Sequence, residues 1–311
     1  MPIDRGLEPH VCAALAPEIE VLTKAGYRLD IIWPADSPSD AILSRNGDRR
    51  WVTTAPGAAF PDGKLPPFAP EFLLTRASRD GGAGRAGMQY RDLIPSRLGG
   101  HSIASHIQVA DGPVDDWVHY HELAFQLIVV IRGWVRLVYQ GQGDPFVMHP
   151  GDMVLQPPGI RHRVLESGDG LEVVEVSGPA VHATFADHEL ELPGGEGDRF
   201  GGQRFAWHKA GDATWSAWNG GESQETAIGE ASGGAIEARI VRNAGGALAV
   251  PASDGELVLG FLIDGEASLQ FDQTHRLAAG EAFVIPPDAP WTLTGNDYCL
   301  LHITTRRADR A

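Results

Sequence analysis

The strongest patterning lies at 116–162, DWVHYHELAFQLIVVIRGWVRLVYQGQGDPFVMHPGDMVLQPPGIRH. Two apolar runs, 127–131 and 135–139, meet at Gly133 in a pattern that predicts a hairpin. The turn His149-Pro150-Gly151-Asp152 opens a further strand over 153–156. His119 and His121 flank Tyr120, and on a strand a spacing of two puts both imidazoles on one face. His162 follows a turn of Pro157, Pro158 and Gly159. In a small rolled barrel it faces the first pair across the interior. Three neutral imidazoles converging on one point suit a first-row transition metal.

Around this centre, 101–109 alternates as an entry strand and 171–176 reads as a returning one. Strand parity points Val164 inward, with Ile128, Val130 and Met153 as further lining. His106 shares a face with Ser102 and Ala104, either in the cavity or in a structural role. Arg161 and Arg163 bracket His162 and are expected outside, paired with Glu166 or Glu172. Glu122 points away from the site. Glu175 reads as a paired structural carboxylate, and His182 and His188 as solvated loop residues. Tyr139 and Trp134 are cavity walls or plain core.

Before this region, Val11, Leu15, Ile19 and Leu22 recur at helical spacing over 7–26, with Pro17 as a kink or restart. Gly26 caps the helix. A strand over 27–33 follows, then a hairpin around Asn46-Gly47. This order resembles half of a glyoxalase-like module. The alternatives are an extension packed on the barrel or a dimer contact. The Pro-rich 56–70 predicts an extended linker and the Gly-rich 80–87 a mobile one.

The pattern then repeats. Gly99-Gly100, Gly133, Gly151 and Pro157-Pro158 recur as Gly233-Gly234, Gly265, Gly280 and Pro286-Pro287, a period of about 130 residues. At the corresponding spacing, His119, His121, Gln126 and His162 fall on Pro251, Ser253, Val258 and Trp291. The second copy therefore lacks the metal ligands, and Trp291 and Phe283 are expected to fill the space. His275 and His302 read as structural. Trp207, Trp215 and Trp218 suggest a strap across the two copies.

Composition narrows the function classes. The 311 residues carry a formal charge of −16, which argues against nucleic acid or an anionic membrane as partner. Gly 38 and Pro 22 suit a turn-rich β protein. Cys12 and Cys299 are the only cysteines, which argues against a disulfide framework. There is no 18-residue apolar run, and MPIDRGLEPH does not read as a signal peptide. The expectation is a cytoplasmic protein.

The segment resembles the cupin superfamily, whose motifs run G-x5-H-x-H-x3,4-E-x6-G and G-x5-P-x-G-x2-H. Gly112, His119, His121 and Gly133 follow the first, with six residues instead of five between Gly112 and His119. Gly151, Pro157, Gly159 and His162 follow the second. Gln126 stands where the family has glutamate. A neutral amide can ligate through its oxygen but does not offset the metal's charge.

The resemblance implies a mainly all-β chain of two tandem cupin (jelly-roll) barrels, a bicupin, with a small α+β N-terminal extension. The expected segments are 1–89 for the extension and linker and 90–192 for the metal-binding barrel. A linker at 193–202, a degenerate barrel at 203–305 and a frayed tail at 306–311 complete the chain. It implies one divalent transition metal on His119, His121, Gln126 and His162, with Fe(II) favoured and Mn, Ni or Zn as alternatives. The first activity implied is a dioxygenase acting on a small aromatic or diketone-type substrate. The second is a lyase, isomerase or hydrolase using the metal as a Lewis acid, with Tyr139 or His106 as base. The third is a small-molecule-binding bicupin without catalysis. A homodimer is expected in each case.

Overall fold

The apolar stretch around Gly133 forms one strand, Phe125–Tyr139, rather than a hairpin. Register shifts beside Arg132 mark bulges, and Gly133 takes φ 70°. A Cβ there would lie 2.5 Å from the carbonyl oxygen of Gly168. The bulge bends the strand without ending it. Its first half pairs with Met153–Gln156 and its second with Phe146–Met148. Gly265 repeats the device at φ 81° inside the strand Val258–Gln270, against Asp297.

The computed structural model describes residues 7–57, 60, 64–78, 82–83, 88–243 and 245–306. They are mostly β, in two large sheets. The 80–87 stretch, the 56–70 linker and the tail lie partly outside the described residues. In the first barrel, the long strand His162–Gly178 pairs along Phe125–Tyr139 on one side. On the other it takes Ile103–Gln108 and, at His162, the strand His119–His121.

The N-terminal extension continues this sheet. Arg28–Trp33 pairs with Thr184–Ala186, which pairs with His119–His121. The hairpin of Asp40–Arg45 and Asp48–Thr53 has Asn46 and Gly47 both at positive φ, as its two-residue turn requires. The helix is shorter than the periodicity suggests, Leu15–Lys24, because a short strand, Pro9–Val11, precedes it. Pro17 therefore sits in the first turn, where it breaks no hydrogen bond. Gly26 follows the C-cap at φ 88°.

Two short strands cross between the units. Leu73–Thr75 pairs with Ala282–Val284 of the second sheet, and Ala206–His208 pairs with Met153–Leu155 of the first. One apolar core spans both barrels. Leu127, Val129, Val174 and Val176 pack there with Ala238, Ile240, Phe261 and Leu301. Since roughly 25 cal/mol accompanies each Å² of apolar surface buried, this shared face is a main source of cohesion. Val130 and Met153, expected in the cavity, are core residues instead. The second barrel's interior is filled. Phe283 and Trp291 are buried edge-to-face at 5.2 Å, with Trp291 also 5.8 Å from the His302 ring.

Candidate metal centre

Alternation along the first barrel's strands decides which side chains meet. Leu127 and Val129 face the other barrel, so Gln126 and Ile128 face inward. Val174 and Val176 do the same for Glu175 and Ser177, and Ala104 for Ile103 and Ser105. The inward faces enclose a cavity with about 90 Å³ for the centres of water molecules. At about 10–15 Å³ per water, that holds a small ligand. Apolar residues such as Ile107, Val135, Leu137 and Val173 line one part. Val164 and Ile128 line it as expected.

The three histidines converge at the polar part. His119, His121 and His162 are all buried, and their ligand atoms lie within 4.8 Å of one another. The ring centroids are 4.1 Å apart for His119 and His162, and 5.3 and 5.4 Å for the pairs with His121. Outer partners orient each ring. His119 Nδ1 lies 2.7 Å from the Trp117 carbonyl and His162 Nδ1 3.1 Å from the Ile160 carbonyl. Thr184 Oγ1 lies 3.2 Å from His121 Nδ1. A carbonyl only accepts, so Nδ1 carries the proton in His119 and His162, and Nε2 is the ring atom with a lone pair to offer an ion; in His162 that lone pair faces the Gln156 amide nitrogen, which an ion would displace. This donor set fits a divalent transition metal.

Gln126 stands beside the triad with its amide fixed. Its Nε2 donates to Glu175 Oε1 at 3.0 Å, and its Oε1 accepts from Gln156 Nε2 at 3.4 Å. Gln156 Nε2 is also 3.0 Å from His162 Nε2. The charge that Gln126 lacks is thus one hydrogen bond further out, on Glu175. That carboxylate is paired, as expected from sequence, and it also lines the cavity. Its signal was legible in hindsight: in a strand buried on both faces, a carboxylate between Val174 and Val176 must face a cavity.

Both candidate bases are corrected. His106 faces the second barrel, 5.5 Å from the Phe261 ring, and bonds Glu172 at 2.9 Å. Burial, with Arg91 alongside, holds its pKa below the usual histidine value. Tyr139 does line the cavity, but complete burial pushes its pKa far up, so it stays a donor. Its hydroxyl bonds Gln156 Oε1 at 3.1 Å.

His182 is a second correction. It is 4% exposed, lines the cavity and packs edge-to-face on His121 at 5.5 Å. Burial lowers its pKa. His188 bonds the Leu29 carbonyl at 2.8 Å. Arg161 pairs with Asp187 at 2.9 Å and lies over the Tyr120 ring. Glu166 is taken by Arg136, and Glu172 by His106 and Arg132. Glu122 is exposed as expected. The N-terminal extension also reaches the site. Ala35 and Asp36 border the cavity, with Asp36 held by Arg97 at 3.0 Å.

Comparison with known proteins agrees with this architecture. The Cupin domain family matches residues 105–177. No curated protein matches the chain. Among solved structures it is similar to the Lactobacillus farciminis oxalate decarboxylase formate complex, at 14% identity and TM-score 0.53. That match covers 70% of this chain and 81% of the other. A mutant of Bacillus subtilis oxalate decarboxylase is similar at 12% identity and TM-score 0.54, covering 79% and 80%. Identities this low speak to the fold. No helix among the described residues is long and apolar enough to cross a membrane. With two barrels of one plan, the histidine triad in the first and Trp291 at the position of His162 in the second, the chain has a bicupin fold whose first barrel, at 105–177, is a Cupin domain.

Proposed function

We propose that the protein is a metal-dependent lyase acting on a small organic acid in the first barrel. The observation that carries this reading is the pairing of the triad with a cavity carboxylate beside it, Glu175, held by Gln126. His119, His121 and His162 would hold the metal, which supplies Lewis-acid polarisation of a substrate carboxylate or carbonyl. Glu175 is placed to take or return a proton at Oε2, while Gln126 fixes Oε1. Tyr139 cannot serve as base and instead fixes Gln156. The apolar remainder of the cavity restricts water around the reacting group.

The structural likeness to oxalate decarboxylases favours this reading over the dioxygenase expected from sequence. With the dioxygenase goes the ground for preferring iron, and manganese, iron, nickel and zinc stand as candidates.

The test is turnover of a panel of small organic acids by protein loaded with each metal, under ¹⁸O₂. A lyase gives carbon–carbon or carbon–oxygen cleavage with no label in the product. Label in the product would restore the dioxygenase. No turnover with any metal would leave a binding protein.

A further inference from the structure

Two buried polar atoms in the cavity wall have no hydrogen-bond partner among the described residues, Ser177 Oγ and His182 Nε2. Ser177 is 1% exposed and His182 4%. Both border the same cavity as the triad. They flank the turn 178–181, which brings the chain back from the long strand toward Thr184–Ala186. Ser177 is the cross-strand neighbour of Gln126, and His182 packs on His121. Each orphan thus stands next to a residue of the metal centre.

The chemistry of the pair is specific. His182 Nδ1 lies 2.9 Å from the Pro179 carbonyl, which can only accept. Nδ1 therefore carries the proton and Nε2 presents a lone pair. Ser177 Oγ can donate as well as accept. A hydroxyl has the chemistry both atoms call for, since it can donate to His182 Nε2 and accept from Ser177. A bare carboxylate cannot, because it only accepts and so has nothing to offer Nε2. Glu175 on the same wall adds an acceptor that disfavours a second carboxylate there.

Resting on the lyase reading, we propose that Ser177 and His182 form a hydroxyl-recognising subsite, so that the substrate is a small hydroxylated organic acid rather than a plain dicarboxylate. The acid's carboxylate lies toward the triad and its hydroxyl toward the turn 178–181. Neither residue is asked to transfer a proton. They are specificity-determining residues.

The experiment is calorimetric titration of the full chain, metal-loaded and metal-free, with two probe pairs: malonate against hydroxymalonate, and acetate against glycolate. Metal content is measured on each sample. In the wild type the hydroxylated member is expected to bind at least about tenfold tighter, the worth of one well-made hydrogen bond. In Ser177→Ala and in His182→Phe that advantage falls below about threefold, with metal content unchanged.

Equal affinities within each pair in the wild type would overturn the proposal, as would absence of binding. An advantage that survives both variants would come from chelation by the metal and would also overturn it. If the wild type takes up no metal, the lyase reading fails. The metal-free titrations then judge the subsite alone: an advantage lost in the variants supports it, and no advantage overturns it.

Discussion

The Tyr139 hydroxyl donates to Gln156 Oε1, and this fixes which end of the Gln156 amide meets His162. The amide nitrogen faces the histidine, and it also donates to Gln126. Because burial keeps Tyr139 protonated, the bond persists at any pH the protein survives. Tyr139→Phe should cost about 1 kcal/mol in urea unfolding. It should leave the shape of the pH dependence of metal binding between pH 6 and 10 as in the wild type. A lost alkaline limb would mean that Tyr139 titrates after all.

The triad predicts metal content directly. His162→Ala removes one of three imidazoles and leaves the other two buried with no third donor. Elemental analysis of freshly purified protein should find metal in the wild type and under a tenth as much in the variant. Thr184→Val is a milder probe. It removes the hydroxyl beside His121 Nδ1 while keeping the side-chain shape. Loss of such an orienting partner weakens metal binding by about 10–100-fold, measurable by chelator competition. Unchanged affinity would show that the packing around His121 suffices to hold its ring.

What the sequence made legible depended on spacing. The triad and the repeat rest on fixed distances between histidines, glycines and prolines, and these survive any uncertainty about which face is buried. The cavity lining was less legible because the first barrel's strands are apolar on both faces. Leu127 to Val130 alternate between the other barrel and the interior with no change in residue type; Val130 points inward as parity predicts but packs among the cavity-wall residues without reaching the cavity, and Met153 faces the other barrel. His106 takes the structural of its two expected roles, on the face it shares with Ala104, and this removes it as a base. His182 was missed because only the approach of the turn 178–181 to His121 buries it, and that approach is set by the pairing of Thr184–Ala186 with His119–His121. The crossing strands Leu73–Thr75 and Ala206–His208 carry no local signal of the sheet they join.

The bend at Gly133 makes a prediction about the fold. Gly133→Ala places a methyl group against Gly168 and Leu171 at a φ that L-residues avoid. The expected loss is roughly 1–3 kcal/mol. His119 and His121 sit on another strand, and His162 lies at the far end of the strand that the methyl group presses, so metal content per folded chain should be unchanged. A variant as stable as the wild type would mean that the strand straightens to accept the side chain.

His302 predicts how the fold responds to acid. It lies in the second barrel's core between Trp218 and Trp291, with no hydrogen-bond partner for Nε2 among the described residues. Burial, helped by Arg239, pushes its pKa down from 6.5 to about 3. In the unfolded chain the same imidazole takes up a proton near 6.5. Between these values the unfolded state binds more protons, so stability is full above 6.5 and is lost as pH falls toward 3. The slope is about 1.4 kcal/mol per pH unit. His302→Leu removes this group and keeps the site apolar. Urea unfolding in chelator, at pH 7 and pH 5, should show the wild type losing about 2 kcal/mol more than the variant between the two. The carboxylates and the remaining histidines contribute to both proteins and cancel in the difference. Equal losses would mean that His302 finds a proton acceptor or water in the folded core, and that the second barrel is less tightly filled than Phe283 and Trp291 indicate.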